Sequence, residues 1–208
     1  SGVLEQKWYY YDGAPDGLPN GKVAAGNLAR VRARLSPTVA NGPQTRMAYD
    51  AAGNVASVTD DNGHVTTTTY DAYLLFPSVV TDPLHHVTTT LVDYRWGQPL
   101  RVVDPNRAET ALAYDNAGRP LCAARPGDSL AQCTTETTYH FATAPGELSW
   151  VETAARQDPP HPRLRTRHYF DALGRPRYSE SSRVVEGQPT TVRSNQVDYD
   201  PAGRVGRV

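Results

Sequence analysis

The sequence predicts an all-β chain made of tandem hairpins. Three observations carry that expectation: dense turn punctuation, no helical apolar period, and short strand-like runs recurring at a fixed interval. Gly (16) and Pro (17) interrupt the 208 residues so often that helices, which typically run roughly 8–20 residues, have little room. No apolar set repeats every 3.6 residues. Instead, Val/Thr/Tyr runs lie between Gly, Pro, Asn and Asp clusters, the texture of strands and turns.

The interval shows when three segments are aligned. They are Val58-Thr-Asp-Asp-Asn-Gly-His-Val-Thr-Thr67, Val80-Thr-Asp-Pro-Leu-His-His-Val-Thr-Thr89 and Val102-Val-Asp-Pro-Asn-Arg-Ala-Glu-Thr-Ala111. Asp60, Asp82 and Asp104 are thus 22 residues apart. A second unit recurs between them: Tyr49-Asp50-Ala-Ala-Gly53-Asn, Tyr114-Asp115-Asn-Ala-Gly118-Arg, Phe170-Asp171-Ala-Leu-Gly174-Arg and Tyr199-Asp200-Pro-Ala-Gly203-Arg. Tyr70-Asp71 opens a version without its Gly, and Asp93-Tyr94-Arg95-Trp96-Gly97 is a swapped one.

Each position has a physical task. The aromatic residue ends a strand with a large face. The Asp carboxylate bonds backbone N–H groups two residues on. The Gly supplies positive φ where the chain reverses. Pro99, Pro120 and Pro176 follow the turn, at the start of the next strand, where a missing donor matters least. One period is therefore two strands and two turns, a hairpin of about 22 residues that must join its neighbours to bury a face. Period-2 alternation agrees: Thr135, Thr137, Tyr139 and Phe141 fall on one face, opposite Thr134, Glu136, Thr138 and His140.

Composition narrows function. The 21 basic and 22 acidic residues leave a net charge of −1, which argues against a nucleic-acid binder driven by electrostatics. Mean hydropathy is −0.56. Ile is absent, and Val, Leu and Phe supply 38 of 208 residues, so β-branched Thr and large Tyr carry the strands. No run approaches the ~18 apolar residues of a membrane span, and no charged region followed by an apolar one marks a secretory leader.

The recurring Tyr-Asp-x-x-Gly-Arg, followed by Val-x-Asp-Pro-x-x-x-x-Thr, resembles the YD repeat, also called the Rhs repeat. That family includes bacterial Rhs effectors, the B and C components of insecticidal toxin complexes, and teneurins. The resemblance covers residues 45–208. Residues 1–44, with Trp8-Tyr-Tyr-Tyr-Asp-Gly13, Gly17-Leu-Pro-Asn-Gly21 and Gly26-Asn-Leu-Ala-Arg30, resemble the lead-in to the repeats of toxin-complex B components. The motif is degenerate around 142–167.

The resemblance implies hairpins joined edge to edge into a curved, spiralling sheet, a hollow shell around a toxin or effector. It implies as partners the neighbouring repeats or a companion shell subunit, and the enclosed toxin polypeptide. It also implies a secreted bacterial protein, with assembly in the cytoplasm before export. The self-cleaving core of some members has an Asp-Pro-x-x-Gly-Leu signature that this sequence lacks, so neither a protease nor a cargo enzyme carries over. A cell-surface adhesion or glycan-binding repeat module is the alternative, resting on Trp8, Tyr9, Tyr10, Tyr11, Trp96 and Trp150.

Other constellations read as structural. His64 and His86 lie one period apart beside turns, more simply solvated residues than metal ligands. Asp12, Asp16 and Asn20 lack the tight alternation and final Glu of a calcium loop. No nucleophile elbow or phosphate loop occurs, and no catalytic residue, cofactor or metal is expected. Arg163, Arg165 and Arg167 share one strand face, where acids on a neighbouring strand could pair with them. Cys122 and Cys133 flank Arg125-Pro-Gly-Asp128. A hairpin turning there sets the two opposite each other within disulfide reach, whereas cytosolic assembly would keep them reduced. Both readings stand at this level.

Overall fold

The structure, a computed structural model, describes residues 6–12, 25–34, 42–157, 163–185, 188–200 and 202–207. Asp16, Asn20 and His161 lie outside them. The described residues form strands and turns with no helix. The chain divides into two units, Ser1–Ala108 and Glu109–Val208.

In the first unit, β1 (Gln6–Tyr11), β2 (Leu28–Arg34), β3 (Gln44–Tyr49), β4 (Val55–Thr59), β5 (Val65–Tyr70), β6 (Pro77–Thr81), β7 (Val87–Asp93) and β8 (Gln98–Val103) pair antiparallel in chain order. In the second, β9 (Glu109–Tyr114), β10 (Pro120–Ala124), β11 (Thr135–His140), β12 (Ser149–Ala155), β13 (Leu164–Phe170), β14 (Pro176–Val185) and β15 (Gln188–Ser194) do the same. A short pair, β16 (Asp198–Tyr199) with β17 (Val205–Arg207), follows. Within β1–β8 and within β9–β15 each connection joins strands that pair, so both runs are open antiparallel sheets built from local hairpins, and β16 with β17 forms a separate pair.

Thr, Val and Tyr suit a pleated, half-buried surface. In β5 the half-buried set is Thr66, Thr68 and Tyr70, and the exposed set is Val65, Thr67 and Thr69. Across β5–β7, Thr68, Val80 and Thr88 align directly. The interior is thin. Among the described residues the buried apolar side chains are Cys122, Ala124 and Ala154, and no large side chain is fully buried. Cohesion therefore comes from the backbone ladder, from cross-strand pairs worth about 0.2–1 kcal/mol each, and from the turns.

Where the repeat weakens, the geometry changes. The Asp171 and Asp200 turns are 29 residues apart because β14 is 10 residues long. Its stretch Ser179–Val185 pairs with β15, while the Val197 N–H donates to the Arg177 carbonyl at 2.7 Å. The chain bends between the two pairings at Asn195, whose φ is +53°.

The reversals separate two kinds of residue. Gly118 turns with φ +76°, whereas Arg107 adopts φ +64° at the equivalent place in its own turn. Left-handed backbone costs a side-chain-bearing residue about 1–2 kcal/mol. Gly118→Val is expected to lower stability by more than about 1 kcal/mol, and the exposed Arg107→Gly to leave it unchanged or raise it. Urea unfolding of the two variants checks the contrast.

Candidate functional site

The chemistry of this chain concentrates in its turns. At Asp50 the carboxylate Oδ1 accepts the N–H groups of Ala52 and Asn54, both at 2.9 Å. The Asp50 N–H donates to the Asn54 carbonyl, and the Gly53 N–H donates back to the Asp50 carbonyl. Gly53, three residues after the Asp, has φ +87°. The same five-residue loop recurs at Asp115 and Asp171, with Gly118 and Gly174 at positive φ. At Asp200, Oδ1 accepts the Arg204 N–H and Gly203 takes the positive φ.

The opposite ends of the hairpins use the same loop. Asp60, Asp82 and Asp104 each cap the N–H groups two and four residues on. The positive φ there falls on Gly63, His85 and Arg107. Leu74 takes it in the Asp71 turn, at +58°. Sequence reading missed these non-glycine positions, because a carboxylate holding two N–H groups fixes the loop even when a side chain must accept left-handed backbone. In the Asp93 turn the positive φ moves one residue later, to Gly97, and Arg95 returns to the Asp93 carboxylate at 2.7 Å.

The second carboxylate oxygen reaches outward. Oδ2 binds the side chain four residues on: Asn54 Nδ2 at 3.2 Å, His64 and His86 Nδ1 at 2.9 Å, Arg119 Nε at 2.6 Å, and Arg175 and Arg204 Nε at 2.8 Å. At three YD turns that held side chain touches the next repeat. Asn54 Nδ2 donates to the Leu74 carbonyl at 2.9 Å. Arg119 lies over the Tyr139 and Phe141 rings at 4.7 and 4.8 Å, and Arg175 over Tyr199 at 4.2 Å. A β-carbon on Gly203 would come within 3.0 Å of Arg175 Nη1, so the bare glycine leaves that guanidinium room.

The tyrosines complete the stitch. Tyr70, Tyr139 and Tyr199 donate their hydroxyls to the carbonyls of Val55, Pro120 and Pro176, the residues that open β4, β10 and β14, at 3.3, 3.1 and 3.1 Å. Tyr49 does likewise to Leu28 at 3.0 Å. Phe170 offers only its ring at its YD turn, and burial raises the Tyr114 hydroxyl's pKa.

The motif-poor stretch has substitutes. Glu147 closes the loop after β11 from its far side: Oε2 accepts the Thr143 and Ala144 N–H groups at 2.8 and 3.1 Å, and Oε1 meets His140 at 2.7 Å. These bonds, the Thr143 N–H foremost, bring the Glu147 carboxyl down to about 2. His140 stacks on Trp150, whose ring also faces Arg167 at 4.1 Å. Glu152, Arg167, Glu180 and Arg193 are direct cross-strand partners, an alternating charge row over four strands. Arg165 and Arg167 both pair with Glu152. Arg163 pairs with Glu136 at 3.9 Å and also donates to the Cys133 carbonyl at 2.7 Å.

Cys122 and Cys133 are joined by a disulfide, with Cα atoms 5.5 Å apart. They are not opposite each other in the ladder, as a turn centred on Gly127 and Asp128 would require. Cys122 faces Glu136. Cys133 sits in the loop, which folds back through a turn at Arg125–Asp128 and a bridge between Ser129 and Gln132. Asp128 anchors it to Thr134 and Arg156.

The remaining candidates are placed as follows. Asp12 Oδ1 caps Ala25 and Asn27. Tyr10 lies under Arg30, while Tyr9, Tyr11 and Trp96 are exposed. Among the described residues no three His, Cys, Asp or Glu side chains gather as a ligand set, and no helix is long and apolar enough to cross a membrane. An open cleft of about 620 Å³ lies over β1–β3 beside the Asp60–Asn62 turn; its Asp60 carboxylate is already committed to that turn.

Residues 24–65 and 49–73 match the RHS Repeat family model. Residues 24–73 thus carry the RHS repeat pattern. Its structural neighbours are components of TcdB2-TccC3 assemblies. It matches the crystal structure of TcdB2-TccC3 with a TM-score of 0.73 at 13% identity, over 97% of this chain and 14% of that one. It matches TcdB2-TccC3-Cdc42 at 0.72 and 11% identity, over 97% and 16%. The likeness is one of fold, and the chain spans about one-seventh of the length of the first neighbour. No curated protein matches the sequence.

The turn carboxylates define an acid response. Backbone N–H donors, chiefly those of Asn54, His64, His86 and Arg204, lower the pKa of Asp50, Asp60, Asp82 and Asp200; at Asp115 the Arg119 side chain leads. A carboxyl whose folded pKa is depressed stabilises above its unfolded value and loses that contribution as pH falls through the folded one. Amide protection in these loops is expected to hold above about pH 4 and decay below it. The Glu147 loop should hold until pH approaches about 2. Hydrogen exchange followed by NMR across pH 6 to 2 checks both.

Proposed function

We propose that this chain is a structural segment of a YD/Rhs-repeat hollow shell that encloses and protects a toxin or effector polypeptide, with no catalysis of its own. The observation that carries the reading is the stitching. Successive hairpins are fastened side by side through Asp, Arg and Tyr, and a sheet so fastened extends without needing a second layer over it. The RHS match and the fold of the TcdB2-TccC3 structures support it. In this reading residues 1–44 lead into the repeats of 45–208. The Asp, Gly and aromatic residues of the YD turns are the working residues of the wall. Its partners are neighbouring repeats, a companion shell subunit and the enclosed polypeptide. The disulfide supports a secreted destination.

A second reading has one observation in its favour. Where the YD turns are interrupted, Tyr73, Leu75, Tyr94 and Trp96 are exposed, and Tyr73 meets Tyr94 edge to face at 5.3 Å. An adhesion module would use such a patch for glycan or protein.

Protease protection tests the shell. In the full reading frame, an enclosed polypeptide is expected to survive trypsin at least tenfold longer than in a version lacking residues 45–208. Equal digestion, together with glycan or cell-surface binding lost on Trp96→Ala, would move the assignment to the adhesion module.

A further inference from the structure

We propose that Cys122–Cys133 is a thiol-exchange site, at which two-electron reduction by a dithiol unlatches β10 from β11. The parting of these two strands is a property of this chain; that a wall opens there rests on the wall reading.

The latch stands where a turn carboxylate is missing. Asp60, Asp82 and Asp104 directly follow their strands, and each closes its reversal by accepting two N–H groups. Arg125 directly follows β10, and a guanidinium has no acceptor for such groups. The reversal is correspondingly long, running over 125–134. The ladder beside it is short. β10 meets β11 at two positions, Cys122 with Glu136 and Ala123 with Thr135, whereas β11 meets β12 at six.

The far end of the loop is anchored to the strands that come after it. The Arg156 N–H donates to the Thr134 carbonyl at 2.7 Å, Arg163 Nη2 donates to the Cys133 carbonyl at 2.7 Å, and Asp128 pairs with Arg156. The disulfide runs from this anchored end to Cys122, midway along β10. It is a covalent tie across the seam between β10 and β11. Weaker ties stand beside it. The Arg125 N–H donates to Thr134 Oγ1 at 2.7 Å, and at the other end of the strands the Tyr139 hydroxyl donates to the Pro120 carbonyl.

Cys122 is 7% exposed and Cys133 is half-buried, so an external thiolate reaches Cys133 Sγ first. It forms a mixed disulfide there. The S–S bond breaks, and its electron pair leaves on Cys122 Sγ, which takes a proton. The reductant's second thiolate then attacks its own sulfur in the mixed disulfide. Cys133 leaves as a thiolate and takes a proton, and the reductant keeps the disulfide. The loop is then free of β10, and the short ladder alone spans the middle of the seam. An oxidising compartment keeps this bond closed, and a reducing one opens it.

Hydrogen exchange of the full 208-residue chain, with and without dithiothreitol and with thiols counted in each sample, tests the latch. Reductant is expected to release both thiols. The amides of residues 121–125 and 134–136 should then exchange roughly tenfold faster or more, while those of 150–153 and 166–169 change by less than about twofold. A chain carrying Cys122→Ser and Cys133→Ser should show the fast rates whether or not dithiothreitol is present; the wild-type comparison decides the matter if that variant does not fold. No thiols released from the folded chain, or thiols released with unchanged exchange at 121–125, would overturn the latch. Acceleration spread evenly over β9–β15 would overturn it too, because the bond would then add only general stability. None of these results bears on enclosure, which protease protection reads separately.

Discussion

Everything in this chain hangs on a carboxylate with two oxygens and two duties. One oxygen of the turn Asp accepts two backbone N–H groups and closes its own reversal. At Asp50, Asp115 and Asp171 the other holds the side chain four residues on against the next repeat. An Ala or Ser at that position could not do both. Asn would lack the charge that keeps an arginine in place. Local turn formation and long-range assembly are thereby one event. At these three turns the reversal also prepares the contact for the repeat that follows.

The thin interior makes this arrangement necessary. A fold whose buried apolar residues, among those described, are Cys122, Ala124 and Ala154 gains little from hydrophobic burial. Small cross-strand terms have to add up instead, as in other repeat arrays, where stability is close to a sum over units and their interfaces. The charge row from Glu152 to Arg193 and the ring stack of Tyr169 on Tyr178 at 4.4 Å are of this kind. A sheet built this way can lengthen without rebuilding a core.

The fold was legible because it is periodic. The spacing of Asp60, Asp82 and Asp104, with Gly and Pro between strand-like runs, specifies hairpins and their neighbours. Other features lay beyond sequence reading for identifiable reasons. The turns at His85 and Arg107 hide their left-handed residue, since Asp capping outweighs the cost of a side chain. The loop closed by Glu147 inverts the usual order, with the acid last, so no Tyr-Asp pattern marks it. The disulfide joins a strand residue to a loop residue, a geometry that counting from the midpoint between two cysteines cannot anticipate. The onward reach of Asn54, Arg119 and Arg175 needs two repeats side by side, and a motif read one copy at a time does not contain it.

The central claim is that the arginine held by one turn fastens the tyrosine of the next. A double-mutant cycle on Arg175→Gln and Tyr199→Leu, read by urea unfolding, addresses it most directly. Coupling of about 0.5–1 kcal/mol between the two changes is the result this account requires. Strictly additive losses would show that the repeats are held by their backbone ladder alone and that the stitch is incidental.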